Sequence, residues 1–168
     1  MRKLPVSIQR EMPEEVEDDD GGDVKEKGRI DLVFLYGCRE NVYFALECKR
    51  LNVSYNGKKR SLATDYVGED GLFAFVKEWY SAGLDQAGMI GYVMDGDIDD
   101  AQRKVNKIIQ KNKDKLKTDN GFKTSSIFQA RKQIKETSHL LSTHCLLVHH
   151  IFLSVKKPQR HLIQNIHQ

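Results

Sequence analysis

The stretch Ile30-Asp31-Leu32-Val33-Phe34-Leu35-Tyr36, then Gly37-Cys38-Arg39-Glu40-Asn41, then Val42-Tyr43-Phe44-Ala45-Leu46-Glu47-Cys48-Lys49, decides the fold. The outer segments are rich in β-branched and aromatic residues and the five residues between them favour a turn, so the pattern predicts a β-hairpin. With the turn centred near Arg39, antiparallel partners have position numbers that sum to about 78–80. Asp31 then stands opposite Glu47 or Lys49. Side chains alternate along a strand, so Glu47 and Lys49 share one face while Cys48 points into the other layer. The hairpin gathers two carboxylates and one ammonium.

Working outward, residues 4–10 read as a short edge strand, with Pro5 tolerated near its start. Residues 12–27 contain Glu14, Glu15, Glu17, Asp18, Asp19 and Asp20 and then Gly21-Gly22, which reads as an acidic flexible loop. Residues 51–61 form a polar connection with a turn at Asn56-Gly57 and the basic triplet Lys58-Lys59-Arg60, at the mouth of any site on the strand end. Leu62, Tyr66, Phe73, Val76 and Tyr80 recur at helical spacing over about residues 62–80. Gly68 and Gly71 either let that helix pack closely or break it in two. Residues 88–94 read as a buried strand, and Asp97 as the N-cap of the clearest helix. Ile98, Ala101, Val105, Ile108, Ile109 and Leu116 mark its apolar face, and Arg103, Lys104, Lys107, Lys111, Lys113, Lys115 and Lys117 cover most of the rest. Strands are expected at residues 125–130 and 144–155, and residues 157–168 read as a polar tail. This order makes the chain an α/β protein, a single domain over residues 1–168 with a central mixed β-sheet flanked by helices.

The 168 residues suffice for one core, and 39% hydrophobic with 30% charged residues exclude a disordered chain. Uninterrupted apolar runs, residues 145–148 among them, reach no more than five residues, far too short for a membrane span, so no membrane partner is expected. Three cysteines, Cys38, Cys48 and Cys145, without a C-x-x-C pair indicate neither a disulfide framework nor a zinc knuckle. The start carries no apolar export signal, and a reducing cytoplasm is the expected compartment. Net charge is +3, but residues 101–168 carry fourteen Lys/Arg against three Asp/Glu, whereas residues 1–31 carry six against ten and residues 32–100 seven against eleven. A basic half of this kind suits a polyanion such as nucleic acid, and it also suits a solvated helix face.

Two carboxylates a few ångströms apart repel unless they share a cation or one takes up a proton. A hard divalent metal resolves that conflict. Mg2+, for which Mn2+ can stand in, takes one or two carboxylates plus water and phosphate oxygens, so Asp31, Glu47 and the backbone carbonyl of Cys48 form a candidate open site. The Lys49 ammonium would hold an attacking water and offset charge on a phosphate. The same three side chains also read as a solvated cross-strand ion pair. Glu69 and Gln86 are candidates to reach the metal's waters or are plain surface groups. Ser138-His139 is a candidate phosphate contact. Trp79 with Tyr80 reads as core, and adjacent His149-His150 point to opposite faces of a strand, which argues against zinc.

Gly28-Arg29-Ile30-Asp31 on one strand and Glu47-Cys48-Lys49-Arg50-Leu51 on the next resemble the PD-(D/E)XK, or restriction-endonuclease-like, nuclease superfamily over about residues 28–94. Ile30 stands where the family commonly has proline. The resemblance implies that Asp31 and Glu47 are metal ligands and Lys49 the catalytic lysine of phosphodiester hydrolysis. It implies that Glu11 completes the site, and that the role is restriction or defence against foreign DNA, in a homodimer or larger complex. Arg50, Lys58, Lys59, Arg60, Arg103, Lys104, Lys107 and Lys111 are the candidate contacts to double-stranded DNA. The alternative is a catalytically inactive nucleic-acid-binding or assembly subunit that keeps the fold.

Overall fold

The structure, a computed structural model, describes residues 6–17, 24–36 and 43–155. Strand β1 (Val6–Glu17) pairs antiparallel with β2 (Val24–Tyr36), and β2 pairs antiparallel with β3 (Tyr43–Leu51). Leu32 faces Leu46 and Phe34 faces Phe44, so partner numbers sum to 78, within the expected register. The turn expected at residues 37–41 lies outside the described residues, as do residues 18–23 and the tail. The acidic-loop expectation is corrected at both its ends. Residues 12–17 continue β1 and residues 24–27 begin β2, because the backbone ladder between them supplies hydrogen bonds that composition does not register.

Among the described residues the sheet has seven strands in the order β1-β2-β3-β6-β9-β8-β7, with β6 at Gln86–Val93, β7 at Lys123–Thr124, β8 at Ile134–Leu140 and β9 at Cys145–Ser154. It is mixed: β3, β6 and β9 run parallel, and the pairs outside them are antiparallel. Helices are few. The expected helix over residues 62–80 is two short ones, α1 (Ala63–Val67) and α2 (Leu72–Val76), because a Cβ at Gly71 would overlap the Tyr66 carbonyl oxygen and only the glycine lets the chain turn there. α3 (Ile98–Lys111) begins as expected at Asp97, whose carboxylate accepts from the Asp100 N–H at 3.0 Å. It stops short of Leu116, where Asn112 takes the C-cap position and its side chain donates to the Ile108 carbonyl. Ala101, Val105 and Ile109 form its buried stripe, and α3 packs against α1 and β9. Residues 51–61 are more than a connection: β4 (Val53–Tyr55) and β5 (Lys58–Arg60) form a separate two-stranded ribbon.

No strand forms at residues 125–130. The Ser125 hydroxyl accepts from the Ile127 and Phe128 N–H groups and bends the chain, while β8 takes the place in the sheet. A buried polar chain then ties β8 and β9 to α1 and to the segment that follows α3. The Leu116 carbonyl can only accept, so His139 carries its proton on Nδ1 and donates there at 2.7 Å. Its Nε2 therefore accepts from the Thr137 hydroxyl, Thr137 accepts from His150 Nε2, and Tyr66 donates to His150 Nδ1 at 3.1 Å. Burial pushes both His139 and His150 below the ordinary histidine range, His150 furthest, so the chain is neutral throughout.

Candidate functional site

The β2–β3 ladder runs down to Leu32 and Leu46, and the next rung toward the site holds Asp31 and Glu47. There the side chain replaces the backbone: the Asp31 carboxylate accepts from the Cys48 N–H at 2.8 Å. Glu47 is 3% exposed among core residues, and Lys49, two positions on, donates to Glu47 Oε1 at 2.5 Å. The expected alternation is therefore observed, with both side chains on one face. The second carboxylate oxygen of Glu47, Oε2, is buried with no donor directed at it, and the Asp31 carboxylate stands close enough to share a proton with Glu47. Burial pushes Glu47 up to about 7, the charge and hydrogen bonding of nearby Asp31 push the same way, and Lys49 opposes them without prevailing. Burial and the Asp31 charge likewise raise the Cys48 thiol to about 11, which leaves it no nucleophile.

Two residues that sequence reasoning left out belong to this neighbourhood. Tyr80 is buried, and burial together with the charges of Glu47, Asp70 and Asp31 raises its hydroxyl to about 12. Its hydroxyl also hydrogen-bonds the Arg29 backbone, and a Cβ at Gly28 would lie 2.7 Å from it, so a glycine is required two residues before Arg29's neighbour Ile30. Tyr80 thus packs against the strand that carries Asp31. Asp70 joins Lys49, Thr64, Asp65, Gly68 and Glu69 in lining an open cleft of about 410 Å3 beside the site. No local signal marked either residue, because Tyr80 reaches the Asp31 strand, and Asp70 the Lys49 cleft, across long stretches of chain.

The other candidates divide. Glu11 sits on the β1 rung opposite Asp31, but it is exposed and its φ of +52° interrupts the regular strand. Among the described residues no group of three or more His, Cys, Asp or Glu side chains is placed to hold a metal, so Glu11 adds no third carboxylate here. Glu69 pairs with Lys77, and Gln86 bonds His149, so neither is directed at the carboxylate pair. Ser138-His139 is no phosphate site, because His139 is wholly buried and spends both ring nitrogens inside the core. His149 and His150 do face opposite ways, toward Glu136 and toward Tyr66. Arg50, Lys58, Lys59 and Arg60 are exposed, as are Lys107 and Lys111, whereas Arg103 and Lys104 both pair with Asp100.

The donor set suits a hard cation in a limited way. Asp31 and the orphaned Glu47 Oε2 would hold it, and backbone or water oxygens would have to supply the remaining positions. Among the described residues no helix is long and apolar enough to cross a membrane. No family model, no curated protein and no solved structure matches this chain.

Proposed function

We propose that the chain is a Mg2+-dependent endonuclease, built on a restriction-endonuclease-like core, that hydrolyses phosphodiester bonds in DNA. One observation carries this reading: a buried carboxylate oxygen, Glu47 Oε2, has no donor directed at it while a second carboxylate and an ammonium stand beside it. Leaving such an atom unsatisfied costs about 1–3 kcal/mol or more, a cost that a ligand would remove. Asp31 and Glu47 are the residues that would hold the cation, with the Asp31 carboxylate steadied by the Cys48 N–H. Mg2+, when bound, supplies Lewis-acid activation of the phosphate and a more acidic water. Lys49 Nζ offsets negative charge growing on the phosphoryl oxygens and orients the attacking water, releasing Glu47 Oε1 as it does so. Arg50, Lys58, Lys59, Arg60, Lys107 and Lys111 give the phosphate backbone its counter-charge.

The test is nicking of supercoiled plasmid with Mg2+ and with EDTA. Wild-type protein cuts only with the metal, and Asp31→Ala and Lys49→Ala each lower the rate by on the order of a hundredfold or more. Absence of cutting, or cutting unchanged in both variants, overturns the proposal. A chain that binds DNA with a steep salt dependence yet never cuts it would be the non-catalytic subunit instead.

A further inference from the structure

The β4–β5 ribbon stands apart from the large sheet, its strands pairing only with each other as Val53 with Arg60, Ser54 with Lys59 and Tyr55 with Lys58. Asn56 and Gly57 both have positive φ, 49° and 74°, as a tight two-residue hairpin turn requires. From Ser54 to Arg60 every residue is exposed. The segment holds three cations and no acid, and at 78% Tyr55 is the most exposed large apolar side chain among the described residues. Its root is fixed. Asn52, 6% exposed with a φ of +51°, accepts that strained position while its N–H bonds the Ser61 carbonyl and its amide donates to Asp95 and Asp100 at 3.2 Å each. The ribbon is a stiff, cationic projection with one aromatic ring at its tip.

One exposed ring is unremarkable alone, but a ring flanked by Lys58, Lys59 and Arg60 matches the two halves of a nucleotide, a flat base and an anionic phosphate. Bases inside a duplex are already stacked, and wedging a ring between them costs unstacking energy, so a ring at a hairpin tip engages an unpaired base at the least cost. A single ring is too little apolar surface for a membrane anchor. We infer that the ribbon stacks Tyr55 on an unpaired base and holds the adjoining phosphates with Lys58, Lys59 and Arg60, which makes the preferred substrate a DNA with a single-stranded segment beside the cut. This rests on the nuclease reading for the word substrate and on the ribbon alone for the binding. Tyr55 is six residues from Lys49, no more than about 20 Å of chain, so the stacked base lies within a few nucleotides of the scissile phosphate.

The experiment measures fluorescence anisotropy of the full chain in EDTA with two labelled oligonucleotides, a blunt duplex and the same duplex carrying an unpaired thymidine flap. Tyr55→Ala weakens flap binding about tenfold and duplex binding less than twofold, and Tyr55→Trp restores the flap affinity. The triple replacement of Lys58, Lys59 and Arg60 by alanine weakens both and flattens the salt dependence. Equal loss on the two DNAs with Tyr55→Ala, no loss on either, or no DNA binding by wild-type protein overturns the inference. Plasmid cutting separates the two readings: a chain that cuts while Tyr55→Ala is without effect defeats only the ribbon, and a chain that never cuts while Tyr55→Ala loses the flap defeats only catalysis.

Discussion

Two buried glutamates on this sheet have met opposite fates. Glu136, 5% exposed on β8, gathers the Ser125 hydroxyl at 2.7 Å, the Ser126 N–H at 2.9 Å, the Ser126 hydroxyl at 3.1 Å and His149 Nδ1 at 3.3 Å on one oxygen. Burial alone would raise it, yet those hydrogen bonds and His149 hold it below the ordinary value for a glutamate. Glu47, 3% exposed and set deeper in the protein, has one cationic partner, a neighbouring carboxylate and an oxygen with no donor directed at it, and it rises to about 7. Both are nearly closed to solvent, but Glu47 lies deeper among protein atoms, so depth of burial and the number of donors act together to separate them. A carboxylate saturated by the protein belongs to the architecture, and one left short is poised for something the protein lacks.

The comparison breaks most visibly at Glu136. Replacing it with alanine strands the buried Ser125 hydroxyl and the buried His149 ring and frees both donors of the exposed Ser126, and chemical denaturation should find the protein less stable by about 3–5 kcal/mol. A loss under 1 kcal/mol would show that the donors re-pair and that saturation at this position is incidental. Glu47→Gln should act in the opposite direction, and only at high pH. A group whose folded value is raised contributes its full stability below the unfolded value of 4.5 and loses it as pH rises through about 7, so ionisation of Glu47 weakens the wild-type fold in alkali. Glutamine cannot ionise. Urea melts should therefore match near pH 5 and favour the variant near pH 9 by up to about 3 kcal/mol. Mg2+ added at pH 9 should recover part of that difference in wild type and none in the variant, and an identical response of both would remove Glu47 from the cation's ligands.

Thr137→Val gives the smallest expected effect and extends the contrast to an uncharged cluster. It removes the hydroxyl between His139 and His150, and denaturation at pH 7.5 should show a loss of about 1–2 kcal/mol. Both histidines have depressed values, so their stabilisation is complete above the unfolded value of 6.5 and falls as pH drops through that value toward their lower folded ones. The midpoint of thermal unfolding should consequently fall between pH 7 and pH 5 in the Glu47→Gln variant, where the opposing titration of Glu47 is absent. A midpoint that holds steady over this range would mean that the two rings are charged in the folded protein.

Much of the Asp31, Glu47 and Lys49 arrangement was legible because a hairpin turns sequence spacing into spatial register. Once the turn was placed near Arg39, alternation fixed which side chains shared a face. Asp97 was legible for a similar reason, since an N-cap bonds a residue three positions on. The Glu136 cluster was not, because Ser125 and Ser126 looked like strand residues until their hydroxyls turned toward a strand that periodicity did not reveal. Tyr80 read correctly as core but not as a neighbour of Asp31, since that contact spans the chain from Arg29 to α2 and beyond. The acidic stretch misled for the converse reason. Its charge argued for solvent, and only the partner strand, distant in composition but adjacent in space, explains why residues 12–17 are extended.

The unequal ladders on either side of β2 have a mechanical meaning. β1 and β2 are joined by eleven residue pairs from Val6 with Tyr36 to Glu17 with Val24, whereas β2 and β3 share four among the described residues, Leu32 with Leu46 to Leu35 with Tyr43. The first two strands therefore form a long arm attached to the body by a short seam, and Asp31 lies on the arm while Glu47 lies on the body. When both carboxylates are ionised their repulsion pries at the end of that seam, with the Asp31 to Cys48 bond and the Tyr80 packing at Gly28 as the stitches that resist it. A cation shared between the two acids would act as a rivet, closing the arm onto the sheet with the same contacts that create the proposed site.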